Sequence, residues 1–268
     1  MLEVLPVVNC PYGDDDCALA KLAKIEKFSK WIHLDVADGI FTFNKSWGSP
    51  AAWQKLHSPL KLEVHLMFAE PETQVEAWLK AGAKRIVVHA EALEKSGSAD
   101  FILKKCALHK ATPILALNPE TTLEMAEPLL ALFQDFQVFA QAHPGPAGQP
   151  FLINVLPKMK MLRARFPDAI IEVDGGIVPE TAAKVHASGA DTVVSGSYIF
   201  KSDDPKQAYE ALKRLKSRPV NSISQHANPD ESQEFETKRN FSFRRGLPLN
   251  RVKLYPTIRH FGALDIAD

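Results

Sequence analysis

The residues best suited to chemistry lie in the stretch Trp31-Ile-His-Leu-Asp-Val-Ala-Asp-Gly39. Ile32, Leu34 and Val36 alternate with His33 and Asp35, so an extended chain puts the imidazole and the carboxylate on one face. Burying two such groups is costly unless something pairs with them. A divalent cation is a natural partner, because both side chains are metal ligands. Asp38-Gly39 is a turn signal that ends the strand. The pair therefore lies near the C-terminal end of a strand, where α/β proteins keep their chemistry.

Two further stretches answer the first. Leu62-Glu-Val-His-Leu-Met67 carries His65, and Ile170-Ile-Glu-Val-Asp-Gly-Gly-Ile177 carries Asp174. Alone, a strand-end His is commonly a hydrogen-bonded structural residue, and an Asp before Gly-Gly is a turn former. Together, two His and two Asp from three strand ends point to one site, provided the strands close into a barrel whose ends share a mouth. Barrels often bind phosphate in the loops after strands seven and eight. Gly145, Gly148, Gly175, Gly176, Gly196 and Ser197 are the residues expected to expose backbone N–H groups to such an anion. His89 and Asn118, also at strand ends, read as pocket lining or structure. Cys10 reads as a buried thiol and Asp38 as a turn former.

The elements that must position these residues alternate strand and helix. Period-two apolar runs predict strands over 4–8, 31–36, 62–67, 85–89, 113–117, 136–140, 169–173 and 191–195. Helical spacing predicts helices over 18–28, 51–56, 71–79, 99–109, 122–127, 152–166, 179–188 and 205–215, with Thr121 or Thr122 capping the fifth. Strand-then-helix order demands a parallel sheet, and eight units imply an α/β fold of the (β/α)8 TIM-barrel type over residues 1–216. From residue 217 to 268 no period persists and the composition turns polar, then basic; a solvated, largely disordered tail or a docked segment is expected there.

Composition excludes several classes. Lys plus Arg and Asp plus Glu both number 32, so there is no basic footprint for nucleic acid and no bias toward an acidic membrane surface. No segment approaches the ~18 apolar residues of a membrane span. The three cysteines form no C-x-x-C pair, which fits a reducing compartment. The N-terminus has no signal-peptide pattern, and a cytoplasmic protein is expected.

Five ordered segments resemble those of the ribulose-phosphate 3-epimerases: His33-Leu-Asp-Val-Ala-Asp-Gly39, Glu63-Val-His-Leu-Met67, His143-Pro-Gly-Pro-Ala-Gly-Gln149, Val173-Asp-Gly-Gly176 and Ser195-Gly-Ser197. The resemblance covers roughly residues 1–216. It implies that His33, Asp35, His65 and Asp174 hold one divalent metal ion, for which zinc, iron, manganese and cobalt all suit the donor set. It further implies that Asp35 and Asp174 form the acid/base pair of a C3 epimerisation, most naturally between ribulose 5-phosphate and xylulose 5-phosphate. The partner implied is a small-molecule sugar phosphate, and a homo-oligomer is expected.

The chain also departs from the family. Ala37 stands where a capping Met is usual, Ala140-Gln141 replaces another apolar contact, and Met67 keeps one cap. The strand-one Ser has no clear match, and Asn9 is the substitute expected to touch substrate. These changes open two alternatives: epimerisation of a hexulose 6-phosphate such as allulose 6-phosphate, or a barrel that binds sugar phosphate without turnover.

Overall fold

The structure is a computed structural model that describes residues 2–93, 95 and 97–215; the expected tail from residue 217 lies outside them. Among the described residues the order is β1 Glu3–Val8, α1 Asp15–Ile25, β2 Trp31–Ala37, α2 Pro50–Leu56, β3 Lys61–Met67, α3 Glu72–Lys80, β4 Arg85–His89 and α4 Ser98–His109. Then follow β5 Thr112–Leu117, α5 Glu127–Leu130, β6 Asp135–Phe139, α6 Leu156–Arg165, β7 Ile171–Asp174, α7 Pro179–Ala187, β8 Thr192–Ser195, α8 Ser197–Phe200 and α9 Pro205–Lys213. The strands form a closed parallel barrel in sequence order, with β8 returning to pair with β1. The expected (β/α)8 barrel is therefore present, and no described helix is long and apolar enough to cross a membrane.

The alternation read from the sequence decides the two faces of each strand. Ile32, Leu34 and Val36 on β2, like Leu62, Val64 and Leu66 on β3, join the core beneath the helices. The intervening residues face the barrel axis. Strand register sets His33 beside Glu63, Asp35 beside His65 and Ala37 beside Met67, so inward side chains stack in layers. One part of the interior is apolar, around Val87, Ile114 and Ala116. Another part is polar and fully buried: His33, Glu63, Gln137 and Glu172.

Local chemistry explains the helix starts and one error. The Asp14 side chain accepts from the Cys17 N–H and caps α1, whose Ala18, Leu22 and Ile25 are buried. The helix expected over 122–127 is a run of turns instead, and α5 begins only at Glu127. Pro128 has no N–H to bond back to residue 124, so a helix cannot run through it from that side. Thr122 still caps the turn, its hydroxyl accepting from the Met125 N–H at 3.3 Å. The reading of Cys10 as a buried thiol is also corrected. Cys10 and Cys17 form a disulfide, their Cα atoms brought to 6.0 Å by the bend after β1. Cys106 is the free, buried cysteine, and burial pushes its thiol up to about 12.

Candidate active site

The C-terminal ends of the strands open into a cavity of about 640 Å³. Asp35, at the end of β2, and Asp174, at the end of β7, both line it. Those strands lie three steps apart around the ring, through β1 and β8, so the two carboxylates enter from different sides. His33 and His65 lie just beneath them, fully buried. One ligand atom from each of His33, Asp35, His65 and Asp174 lies within 4.8 Å of the others. All four residues expected to hold a metal are thus brought together.

Hydrogen bonding favours a cation at their centre. His33 Nδ1 lies 2.5 Å from Glu63 Oε1, so Nδ1–H donates to that carboxylate and the Nε2 lone pair turns toward the cluster. His33 Nε2, Asp35 Oδ1 and His65 Nδ1 are buried without hydrogen-bond partners. Yet His33 Nε2 is 3.2 Å and His65 Nδ1 3.3 Å from Asp35 Oδ1, and His65 Nδ1 is 3.7 Å from Asp174 Oδ2. Orphaned ligand atoms converging from three side chains, with the Asp174 carboxylate beside them, are what a divalent ion would satisfy. The charges agree. Burial alone would lower the His33 imidazole, but Asp35 and Glu63 hold it well above its ordinary value. His65 is raised against burial by Asp174 and Asp35. Asp35 is held far below the usual carboxylate range by His33 and His65, although burial opposes this. The pocket draws positive charge onto itself.

A polar layer below the cluster fixes it. Arg85 donates to Glu63 Oε2 at 3.3 Å and to Glu3 at 3.0 and 3.1 Å. Burial, reinforced by the nearby Glu63 charge, pushes Glu172 well above the usual carboxylate range. Glu63, beside His33 and Arg85, is instead lowered although burial opposes this, and Gln137 donates to Glu172 at 2.7 Å. Glu63 and Glu172 were missed as site residues, although each sits two positions before an identified one on the same strand face. Glu91, also missed, accepts from the Asn118 N–H at 3.0 Å and from the Thr121 hydroxyl, and lies 3.3 Å from His89 Nδ1.

The remaining expected residues divide as follows. Asn9 lines the cavity and donates to Asp35 Oδ2 and the Gly145 carbonyl, each at 3.0 Å. Met67, Gly145, Gly148, Gly175, Gly176, Gly196 and Ser197 all line it too. Gly176 has φ +65°, and a Cβ there would sit 2.7 Å from the Phe151 backbone. His89 is buried against Phe41 and Phe139, with ring centroids at 5.0 and 5.9 Å, and takes the structural role. Asp38 is the turn former expected, accepting from the Ile40, Phe41 and Ala69 N–H groups. Ala37 does not line the cavity; Phe139 and Gln141 do. Gln141 donates to the Gln149 carbonyl at 2.8 Å and so braces the loop.

Comparison with known proteins places this site in a family. A profile of the ribulose-phosphate 3 epimerase family matches residues 15–200. The chain is 34% identical over 200 residues to the ribulose-phosphate 3-epimerase of Chlamydia pneumoniae, covering 71% of this chain and 85% of that protein. It is 36% identical over 201 residues to that of Synechocystis, covering 71% and 84%. The 3-hexulose-6-phosphate synthase structure from Salmonella typhimurium matches with a TM-score of 0.61 at 15% identity, over 80% of this chain and 98% of that one; at that identity the likeness is one of fold. Motif order, barrel and matched length converge, and the chain belongs to the ribulose-phosphate 3-epimerase family.

Proposed function

We propose that the chain interconverts ribulose 5-phosphate and xylulose 5-phosphate, one of Asp35 and Asp174 removing the C3 proton and the other delivering a proton to the opposite face. The observation that carries this is the entry of two carboxylates into one cavity from strands three steps apart. Inverting a carbon beside a ketone requires removal of its proton on one face and delivery of another on the opposite face. One carboxylate must be ionised and the other protonated at the start, and the roles exchange when the product reacts back. Asn9 donates to Asp35 Oδ2 and so fixes the orientation of that carboxylate in the cavity. Met67, Phe139 and Val194 line the cavity with apolar surface, which keeps water from the reacting carbon.

His33, Asp35, His65 and Asp174 are the residues that would hold one divalent ion, of the zinc, iron, manganese and cobalt class. When bound, that ion supplies positive charge to the substrate's carbonyl and neighbouring hydroxyl oxygens as electron density moves onto them. The glycine-rich loops after β6, β7 and β8 bring backbone N–H groups to the other end of the cavity, where the phosphate belongs.

The test is solvent exchange. In D2O the metal-loaded protein should place deuterium at C3 of both pentulose phosphates. Neither Asp35→Asn nor Asp174→Asn should complete epimerisation, though one of them should retain exchange on a single face. Exchange at another carbon, or full turnover in either variant, would overturn the assignment.

A further inference from the structure

We infer that Lys21 supplies a side-chain cation to the phosphate end of the cavity, in addition to the backbone N–H groups of the glycine loops; the ligand's class rests on the pentulose-phosphate reading. Lys21 lies on α1, where a lysine at the edge of the buried face ordinarily extends its ammonium into water. Here it turns inward. Lys21 Nζ donates to the Asn9 carbonyl at 2.5 Å and lies 5.5 Å from the centre of the Phe200 ring on α8. It lines the same cavity as Gly176, Gly196 and Ser197.

No carboxylate among the described residues comes within 4.0 Å of this half-buried ammonium. The two acids whose charges reach it are both engaged elsewhere. Asp14 caps the Cys17 N–H, and Asp35 is held by His33, His65 and Asn9. Burial lowers the Lys21 pKa, and the neighbouring Lys24 adds to the same effect. An ammonium has three donors, and one of them is used by Asn9. A desolvated, under-partnered cation facing a ligand cavity lacks an anion. A phosphate monoester provides one with several acceptor oxygens, and a charge-assisted hydrogen bond to it is strong.

A structural lysine tying α1 to β1 would also donate to Asn9, so the experiment must separate the two roles. Titration calorimetry of the metal-loaded protein with inorganic phosphate is compared for wild type, Lys21→Met, Lys21→Gln, Lys21→Arg and the exposed control Lys27→Met. Lys21→Met and Lys21→Gln should weaken phosphate binding by about ten- to a hundredfold. Lys21→Arg should restore most of it, and Lys27→Met should change it less than about threefold. With ribulose 5-phosphate, KM should rise in the same proportion while kcat stays within about twofold, because the phosphate does not react. Phosphate affinity unchanged in both neutral variants that retain the wild-type melting temperature overturns the inference. So does wild type that fails to bind phosphate, or a loss confined to kcat. Lys21-dependent phosphate binding without turnover of any pentulose phosphate would uphold the inference and defeat the substrate reading instead.

Discussion

His65 Nε2 lies 2.8 Å from His89 Nε2. Two ring nitrogens at that distance share one proton, so one ring donates and the other accepts. If His65 keeps the Nδ1 lone pair that faces Asp35 and Asp174, its Nε2–H donates to His89. His89 must then carry its own proton on Nδ1, facing Glu91. Burial lowers the His89 pKa, which agrees with a neutral ring. The polarity of the chain is thereby set from Glu91 inward. His89→Ala and Glu91→Gln are each expected to weaken divalent-metal binding about 10- to 100-fold, measured by competition with a chelator. Unchanged affinity in both variants would show that this chain of rings does not orient His65.

For the carboxylates at the mouth, Asp35→Asn and Asp174→Asn should each lower kcat by about 10²–10⁴. Metal content must be measured alongside, since both residues are proposed ligands. A variant that retains its metal but loses turnover isolates the proton-transfer role, and a variant with near-normal kcat rejects it.

Gly176→Ala should damage substrate binding before it damages the barrel. Its positive φ and the nearby Phe151 backbone mean that a methyl group must displace the loop following the glycine- and proline-rich segment. A cost of about 1–3 kcal/mol is expected for such a conformation in a non-glycine residue. KM for the sugar phosphate should rise with little change in metal affinity; an unaltered KM would remove Gly176 from the phosphate site.

Lys158 donates to the Asn118 and Pro119 carbonyls at 2.5 and 2.9 Å, and burial lowers its pKa from 10.5 to about 8. Between about pH 8 and 10.5 the unfolded chain therefore binds more protons at this residue than the folded chain does. The Lys158 contribution to stability must rise with pH across that window. The melting temperature of wild type relative to Lys158→Met should accordingly increase from pH 8 to pH 10. A difference that stays flat or falls contradicts the shift.

The cysteines make a counting test. Iodoacetamide should modify no cysteine of the native protein, because Cys10 and Cys17 are bonded and the buried Cys106 thiol is pushed up to about 12. Denaturation without reductant should expose one site, and reduction should expose all three cysteines of the chain. Three modified sites without reductant would mean that the bond is absent.

Much of the site was readable because a strand's period is two. Once His33 and Asp35 share a face, closing the barrel brings His65 and Asp174 to them with no further information. The same rule reaches Glu63 and Glu172, one layer deeper, but a lone Glu in an apolar strand reveals its role only when register sets it beside His33. Lys21 was illegible for another reason. Helical spacing places it at a polar boundary and does not say that its ammonium bends toward Asn9. Pro128 was visible, and a stricter reading of its missing N–H would have moved the fifth helix. The Cys10–Cys17 bond depends on the path of the bend after β1, which residue types alone do not specify.

The pairing of β8 with β1 has a consequence for the chain itself. The ring they close has no first strand, and α9 packs against β1, so the two ends of the barrel segment are neighbours in space. A circular permutant that links residue 214 to residue 2 and opens the chain between α2 and β3 would present the same cyclic order of strands. The chemistry belongs to angular positions around an axis, and the order in which the ribosome supplies those positions is an incidental property of this gene.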